Sequence, residues 1–209
     1  MGRQTGVTKE TVKRLVLDSG VIYKNWGSTD PTKPQTILGA CRGGNVYNVE
    51  REWRDMEFDG VGGIIRGARR PVGVTVTLTA NLVELNKDLI KMAIPGASYD
   101  PDGTAAQKVN RDGTMTPVAN ELHYSITSVL EAAIPEFEYY DIAIVAKYSG
   151  TTAPVICVVR NAMNNGGFEM SLSDKNEVTV TLNFEGTFDV ENIDEEPWEI
   201  IVPEKIPEV

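Results

Sequence analysis

The chain has 209 residues and a mass of 22.9 kDa, room for one domain of generous size or two small ones. Its net charge is −10 with a single histidine, and such a chain is poorly suited to gripping nucleic-acid phosphates, which takes clustered cations. Hydrophobic residues at 41% are enough for a core, while Cys41 and Cys157 are too few and too isolated for a disulfide framework or a thiolate zinc site.

The first residues carry no address label. Gly6 stands where a myristoylation motif needs Ser or Thr, and Leu15-Val16-Leu17 is too short for a signal-peptide core. No apolar run approaches a membrane span and no Asn-x-Ser/Thr acceptor occurs, so cytoplasmic synthesis without membrane insertion is the expectation. Gly27 to Pro34, which includes Asp30 and Pro31, is a loop of turn formers. Glu50-Arg51-Glu52-Trp53-Arg54-Asp55-Met56-Glu57 alternates in charge, which reads as an exposed strand with cross-strand ion pairs or as a subunit edge. Gly60 to Gly67 lacks the spacing of a phosphate loop and reads as a glycine-rich bend between strands. Arg66, Arg69 and Arg70 follow as a basic knot, whose nearest opportunity is the acidic C-terminal segment of the same or a neighbouring chain rather than DNA.

From Pro71 to Ala80 the period is two. Val72, Val74, Val76, Leu78 and Ala80 share one face; Gly73, Thr75, Thr77 and Thr79 share the other. Leu82, Leu85, Leu89 and Met92 recur at helical spacing, and Ile94-Pro95-Gly96 stops them, which predicts a helix over about 82–94. Residues 97–117 read as an inserted loop folding back as a small ribbon, with Asp102-Gly103 and Asp112-Gly113 as turn signals. Leu122, Tyr124, Ile126, Ser128 and Leu130 predict one continuous strand, whereas Glu131 to Pro135 is too short to assign. Residues 142–146 and 155–159 are apolar on both faces, so they read as strands covered on both sides. Gly167 to Leu172, a turn at Ser173-Asp174-Lys175-Asn176, and Glu177 to Glu185 read as a hairpin. In its second strand Val178, Val180, Leu182 and Phe184 oppose Thr179, Thr181, Asn183 and Glu185. From Asp189 onward eight carboxylates face Lys205 alone, and Pro197, Pro203 and Pro207 keep this arm extended.

Sites for chemistry are sparse. Asp100-Pro101-Asp102-Gly103 lacks the rest of a calcium loop, and His123 has no second histidine with which to hold a metal. A coherent nucleophile or metal set is missing, so the reading is a non-enzymatic protein without a cofactor. A carbohydrate-binding or adhesin-like β-sandwich is the competing class, although Trp26, Trp53 and Trp198 are scattered rather than aligned.

Several pieces in order give a further signal. Val49 to Gly60, then Gly67-Ala68-Arg69-Arg70, then Thr75 to Leu82, a helix ending at Pro95-Gly96, Val178 to Asp189 and Pro197-Trp198-Glu199 succeed one another. In this combination the chain resembles the major tail tube proteins of long-tailed phages of Gram-positive hosts and their prophage relatives. The resemblance implies an all-β fold with one short helix, an antiparallel β-sandwich or barrel over 1–189 with an arm at 190–209. It implies hexameric rings whose sheets join across subunits and which stack into a hollow virion tail tube. Its partners would be copies of itself, a tape-measure protein, a tail terminator and baseplate or tail-tip proteins, with double-stranded DNA passing through. Another tail ring protein, or the tube of a contractile particle, shares the fold. Within this frame Thr75, Thr77, Thr79, Thr179, Thr181, Asn183 and Glu185 are candidates for the channel face, being small, polar and free of cations. Glu50, Arg51, Glu52, Trp53, Arg54, Arg69, Arg70, Asp30, Pro31 and Trp198 are candidates for subunit contacts. The 27–36 loop, the 97–117 insertion and the C-terminal arm are candidates for contacts between rings.

Overall fold

A computed structural model describes residues 7, 11, 15, 16, 20–99, 102–128, 138–149, 154–172 and 177–203. Its elements are β1 (Val21–Lys24), β2 (Thr36–Ile37), β3 (Val46–Asp55), β4 (Arg69–Leu82), α1 (Lys87–Ala93), β5 (Ala97–Tyr99) and β6 (Thr104–Val109). They continue with β7 (Met115–His123), β8 (Ile126–Ser128), β9 (Tyr140–Lys147), β10 (Pro154–Asn164), β11 (Glu169–Ser171), β12 (Thr179–Gly186) and β13 (Trp198–Ile201). The elements with described bounds are antiparallel strands and one short helix, an all-β fold as the period-two pattern predicts. No helix among the described residues is long and apolar enough to cross a membrane.

Nine strands make one sheet in the order β2-β1-β9-β10-β12-β4-β3, with β13 beside β10 and β11 beside β12. The sheet changes partners along β10. Its first half lies between β9 and β13, and its last residues, Ala162 to Asn164, pair with Gly186 to Phe184 of β12. A register shift between Val159 and Ala162 marks the change, where Asn161 adopts φ 46°. Asp141 fixes this bulge by accepting from the Asn161 N–H at 3.0 Å and from Arg160 Nη1 at 2.8 Å. Gly186 is required opposite, because a Cβ there would lie 2.8 Å from Val159 Cγ1 and 3.2 Å from two backbone oxygens.

The two parts of the sheet share a core. Ile22 of β1, Ile142 of β9, Val159 of β10, the alternate residues Val76, Leu78, Ala80 and Leu82 of β4 and Val180, Leu182 and Phe184 of β12 form one buried cluster, closed by Leu89, Met92 and Ala93 of α1. Burying each large aliphatic or aromatic side chain is worth about 1.5–3 kcal/mol. The far edge strand β3 comes round to β10, since the Tyr47 hydroxyl donates to the Val158 carbonyl at 3.3 Å. The strands predicted to be covered on both sides are so at one end each: Ile142 and Ala143 of the first and Val158 and Val159 of the second are fully buried, whereas Ile144 to Ala146 and Val155 to Cys157 are half-buried.

Two expectations are corrected. The helix is shorter than 82–94, because Leu82 remains in β4 opposite Val180 and the Asn86 side chain caps α1 by accepting from the Leu89 N–H at 2.8 Å. Leu85 is left 45% exposed, outside the helix. The continuous strand over 122–130 is broken in two, its last residues lying outside the described set. His123 ends a ribbon of β6 and β7, whereas Ile126 to Ser128 pair with β5. Between them Tyr124 turns against Tyr99, and the Lys87 ammonium sits 4.6–4.7 Å from both ring centroids. The predicted ribbon inside the insertion is present, and it extends to His123. Within one copy and among the described residues, two members of the basic knot are held locally. Arg69 grips Asp55 across the hairpin in two bonds of 2.6 and 3.0 Å, and Arg70 donates to the carbonyls of Gly67 and Arg69.

The β11–β12 hairpin forms as read, while its turn at 173–176 and the segment 131–135 lie outside the described residues. Of the acidic arm, Trp198 to Ile201 return to the sheet as β13, pairing with Val159 to Ile156. Residues 204–209 lie outside the described set.

Candidate functional site: a polar sheet face between two open edges

The face of β4 and β12 turned away from the core is a continuous polar surface. Thr77 lies opposite Glu185, Thr79 opposite Asn183 and Asn81 opposite Thr181, so the two predicted rows interlock. Thr79 Oγ1 donates to Asn183 Oδ1, and Thr181 Oγ1 donates to Asn81 Oδ1, both at 2.8 Å. Glu185 accepts from Asn165 Nδ2 in a close contact. These side chains are partly buried by one another, and their strands' alternate residues are the core.

The register widens this face by two strands. Val46, Asn48, Glu50 and Glu52 of β3 lie opposite Thr79, Thr77, Thr75 and Gly73, and Glu169 and Ser171 of β11 lie opposite Thr181 and Thr179. Each of these aligned positions is neutral or acidic, with carboxylates at Glu50, Glu52, Glu169 and Glu185. Past a register shift after Glu52 the character changes, with Arg54 opposite Arg70 and Asp55 opposite Arg69. The hydrogen bonds from Arg69 hold the Asp55 carboxyl below the usual aspartate range.

The side chain that sets this surface from behind is Asn164. It is 2% exposed, accepts from the Asn183 N–H at 2.7 Å, and donates to the carbonyls of Ala93 and Gly167 at 2.6 and 2.9 Å. One amide thus ties the end of α1, the β10–β11 connection and β12 together. Gly166 allows the close approach, since a Cβ there would stand 2.6 Å from Asn183 Nδ2.

Among the described residues the outer edges of β3 and β11 are open, while β10 covers the rest of that side of β12 at Phe184 to Gly186. The ten residues of β3 pair with β4 alone, and β11 pairs with β12 alone. Of the residues predicted for subunit contacts, Glu50 to Arg54, Arg69 and Arg70 lie together on the outer half of the β3–β4 hairpin. Trp198 joins them through Glu196, whose Oε2 accepts from Trp198 Nε1 at 2.6 Å and from Arg51 Nη2 at 2.7 Å. Arg160 adds a second tie, donating to Glu199 at 2.6 Å; burial works against its charge, but its bonds to Asp141 and Glu199 raise its pKa overall. Asp30 and Pro31 stand apart. Asp30 accepts from the backbone and hydroxyl of Thr32 within its own exposed loop.

Sequence reasoning missed Glu50 and Glu52 as part of the polar face, along with Asn48, Glu169 and Asn164. The period was there to be read from Val46, with Tyr47 and Val49 alternating against Asn48, Glu50 and Glu52, but the charge alternation that follows obscured it. Also unforeseen was the apolar exposure of the β3–β4 connection, at Phe58, Val61, Ile64 and Ile65. The three tryptophans are dispersed: Trp26 packs edge-on against Tyr23, Trp53 is exposed on β3, and Trp198 packs against the core. Comparison of the chain with protein-family models found no match, and comparison with curated proteins found none.

Proposed function

We propose that the chain is a structural subunit that closes into six-membered rings and stacks into the hollow tail tube of a long-tailed phage particle, with the β3-β4-β12-β11 face lining the bore. One observation carries this reading. A four-stranded surface with its core on one side, no aligned cation on the other, and, among the described residues, open outer edges at β3 and β11 is suited to continuing sideways into copies of itself. A ten-residue edge strand left open invites pairing, and a ring in which β3 of one copy meets β11 of the next removes the hazard. Twenty-four strands spaced about 4.8 Å and tilted about 40° would close on a backbone diameter of roughly 48 Å.

The chemistry of the face fits a conduit. Cations on every subunit would hold phosphates through counterion release and turn the bore into a series of binding sites. Carboxylates among hydroxyls and amides repel DNA over about the 8 Å Debye length of physiological salt. The tape-measure, terminator and baseplate or tail-tip proteins are the partners this reading brings, and the reading asks no bond chemistry of the chain. Size-exclusion chromatography with mass measurement, followed by electron microscopy of the purified protein, tests it. Six-fold rings or hollow filaments are the expected result; a persistent monomer that binds a glycan overturns it.

A further inference from the structure

The β10–β11 connection carries the chain's one Asn-Gly pair, Asn165-Gly166. Asn164 closes the bend, its Nδ2 donating to the Gly167 carbonyl at 2.9 Å, and both residues of the pair stand exposed at its apex. The Asn165 N–H donates to the Asn183 carbonyl at 2.9 Å and its side-chain amide donates to Glu185, whereas the Gly166 N–H has no acceptor among the described residues. A glycine nitrogen, with no side chain beside it, can approach the carbonyl carbon of the preceding side chain unobstructed, and the two are already neighbours in the chain. In other connections Asn25, Asn45, Asn110 and Asn192 are followed by Trp26, Val46, Arg111 and Ile193, whose side chains crowd that approach. The pairs Asp59-Gly60, Asp102-Gly103 and Asp112-Gly113 offer the same glycine, but a carboxylate is a poorer electrophile than an amide. Hydrogen bonds from Thr114 further hold the Asp112 carboxyl below the usual aspartate range.

We propose that Asn165 is a site of spontaneous covalent modification, deamidating through a cyclic imide and loosening β11 from β12. The Gly166 nitrogen gives its proton to hydroxide and attacks Asn165 Cγ, forming an N–Cγ bond. The Cγ–Nδ2 bond breaks, and the NH2 group takes a proton from water and leaves as ammonia. Water then opens the imide. Cleavage of the new N–Cγ bond gives aspartate; cleavage of the original peptide bond gives isoaspartate, whose main chain runs through Cβ and Cγ. One water is consumed and one ammonia released, with no oxidant, reductant or cofactor. The aspartate sets a carboxylate against Glu185, to which the amide had donated, and the like charges repel. The isoaspartate adds a carbon to the main chain inside the bend that the Asn164–Gly167 bond closes. Asn183 leaves no slack on the Gly166 side, where a Cβ would lie 2.6 Å from its Nδ2. Either product therefore strains the connection that seats Glu169 to Ser171 against Thr181 to Thr179. The strain falls on an open edge of the polar face, where the surface is proposed to continue.

The test incubates the unassembled full-length chain in mildly alkaline buffer, both folded and, as a reference, unfolded in guanidinium chloride. Peptide mapping by mass spectrometry and enzymatic methylation of isoaspartate locate the product. In the folded chain deamidation at Asn165 should outpace that at every other asparagine, and a more acidic species should separate on anion exchange. In that species the amides of β11 and of its partners in β12 should lose hydrogen-exchange protection. Asn165→Gln keeps an amide but must close a larger ring, and should show neither change; Asn165→Asp should lose the protection without incubation. Reaction at Asn165 in the unfolded chain but not in the folded one, or in neither, overturns the site. Aspartate and isoaspartate at position 165 with β11 protection unchanged overturn its effect on the sheet. Both readouts come from unassembled chain, so the tube reading is tested apart from them.

Discussion

Replacing Asn164 with aspartate changes one NH2 group into an oxygen and nothing else in shape. In the wild type that NH2 group donates to the Ala93 and Gly167 carbonyls, while Oδ1 accepts from the Asn183 N–H. At pH 7 the variant sets a carboxylate oxygen against two carbonyl oxygens in a position 2% exposed. Two hydrogen bonds are lost and a charge is buried without a counter-charge, a cost of about 3–5 kcal/mol. Against a total stability of about 5–15 kcal/mol this is large, and for a chain of this length it lowers Tm by roughly 10 °C. Protonation gives back one donor, so the folded-state pKa of the new carboxyl lies above its unfolded value of about 3.9. Its stability is therefore greatest below about pH 4 and is lost as pH rises through the folded pKa. Thermal melts of wild type and Asn164→Asp between pH 4 and 8 measure this directly. The gap between them should narrow on acidification; equal Tm values at pH 7, or a gap that widens in acid, refute the role given to Asn164.

Other outcomes follow from the same geometry. The double variant Thr181→Lys and Glu185→Lys puts two cations on each copy of the polar face and should slow genome ejection while leaving tube length unchanged; ejection at the wild-type rate removes this face from the bore. Gly186→Ala drives a methyl group against Val159 and two backbone oxygens, and should cost about 1–3 kcal/mol in urea unfolding; an unchanged midpoint would mean that the β10 bulge yields freely. The Asp55–Arg69 pair contributes above the ordinary aspartate pKa and is lost as pH falls through the depressed folded value. Protection of the Met56 and Ala68 amides, taken as intrinsic over observed exchange rate, should fall in Asp55→Asn at pH 7, and in the wild type only in stronger acid. Equal protection in the two proteins at pH 7 contradicts it.

How much the sequence told depends on the range of the interaction. The rows Val76-Leu78-Ala80 and Val180-Leu182-Phe184 set which faces are buried, because a strand's period is local and its alternation survives any partner. The start of α1 was misplaced because Leu82 suits a helix stripe as well as a strand, and a pairing with Val180, almost a hundred residues away, decides between them. The break at Tyr124 and Ser125 was hidden for a similar reason: the two halves of a locally regular strand answer to β6 and β5 separately. Charge partners were the least legible. Arg51 and Arg69 lie on adjacent strands, yet one finds Glu196 and the other Asp55, and only the register tells them apart. Asn164 gave no signal, since a buried asparagine looks like any other turn former until its three partners converge on it.

The proposed tube requires this sheet to continue into copies of itself around a cation-poor bore. A reconstruction of the assembled protein by electron cryomicroscopy tests it most directly. The expected map has β3 of one copy paired with β11 of its neighbour, a continuous barrel roughly 48 Å across its backbone, and Thr77, Asn183 and Glu185 facing the lumen. A lumen lined by arginine and lysine, or β3 capped by a segment of its own chain, would contradict it.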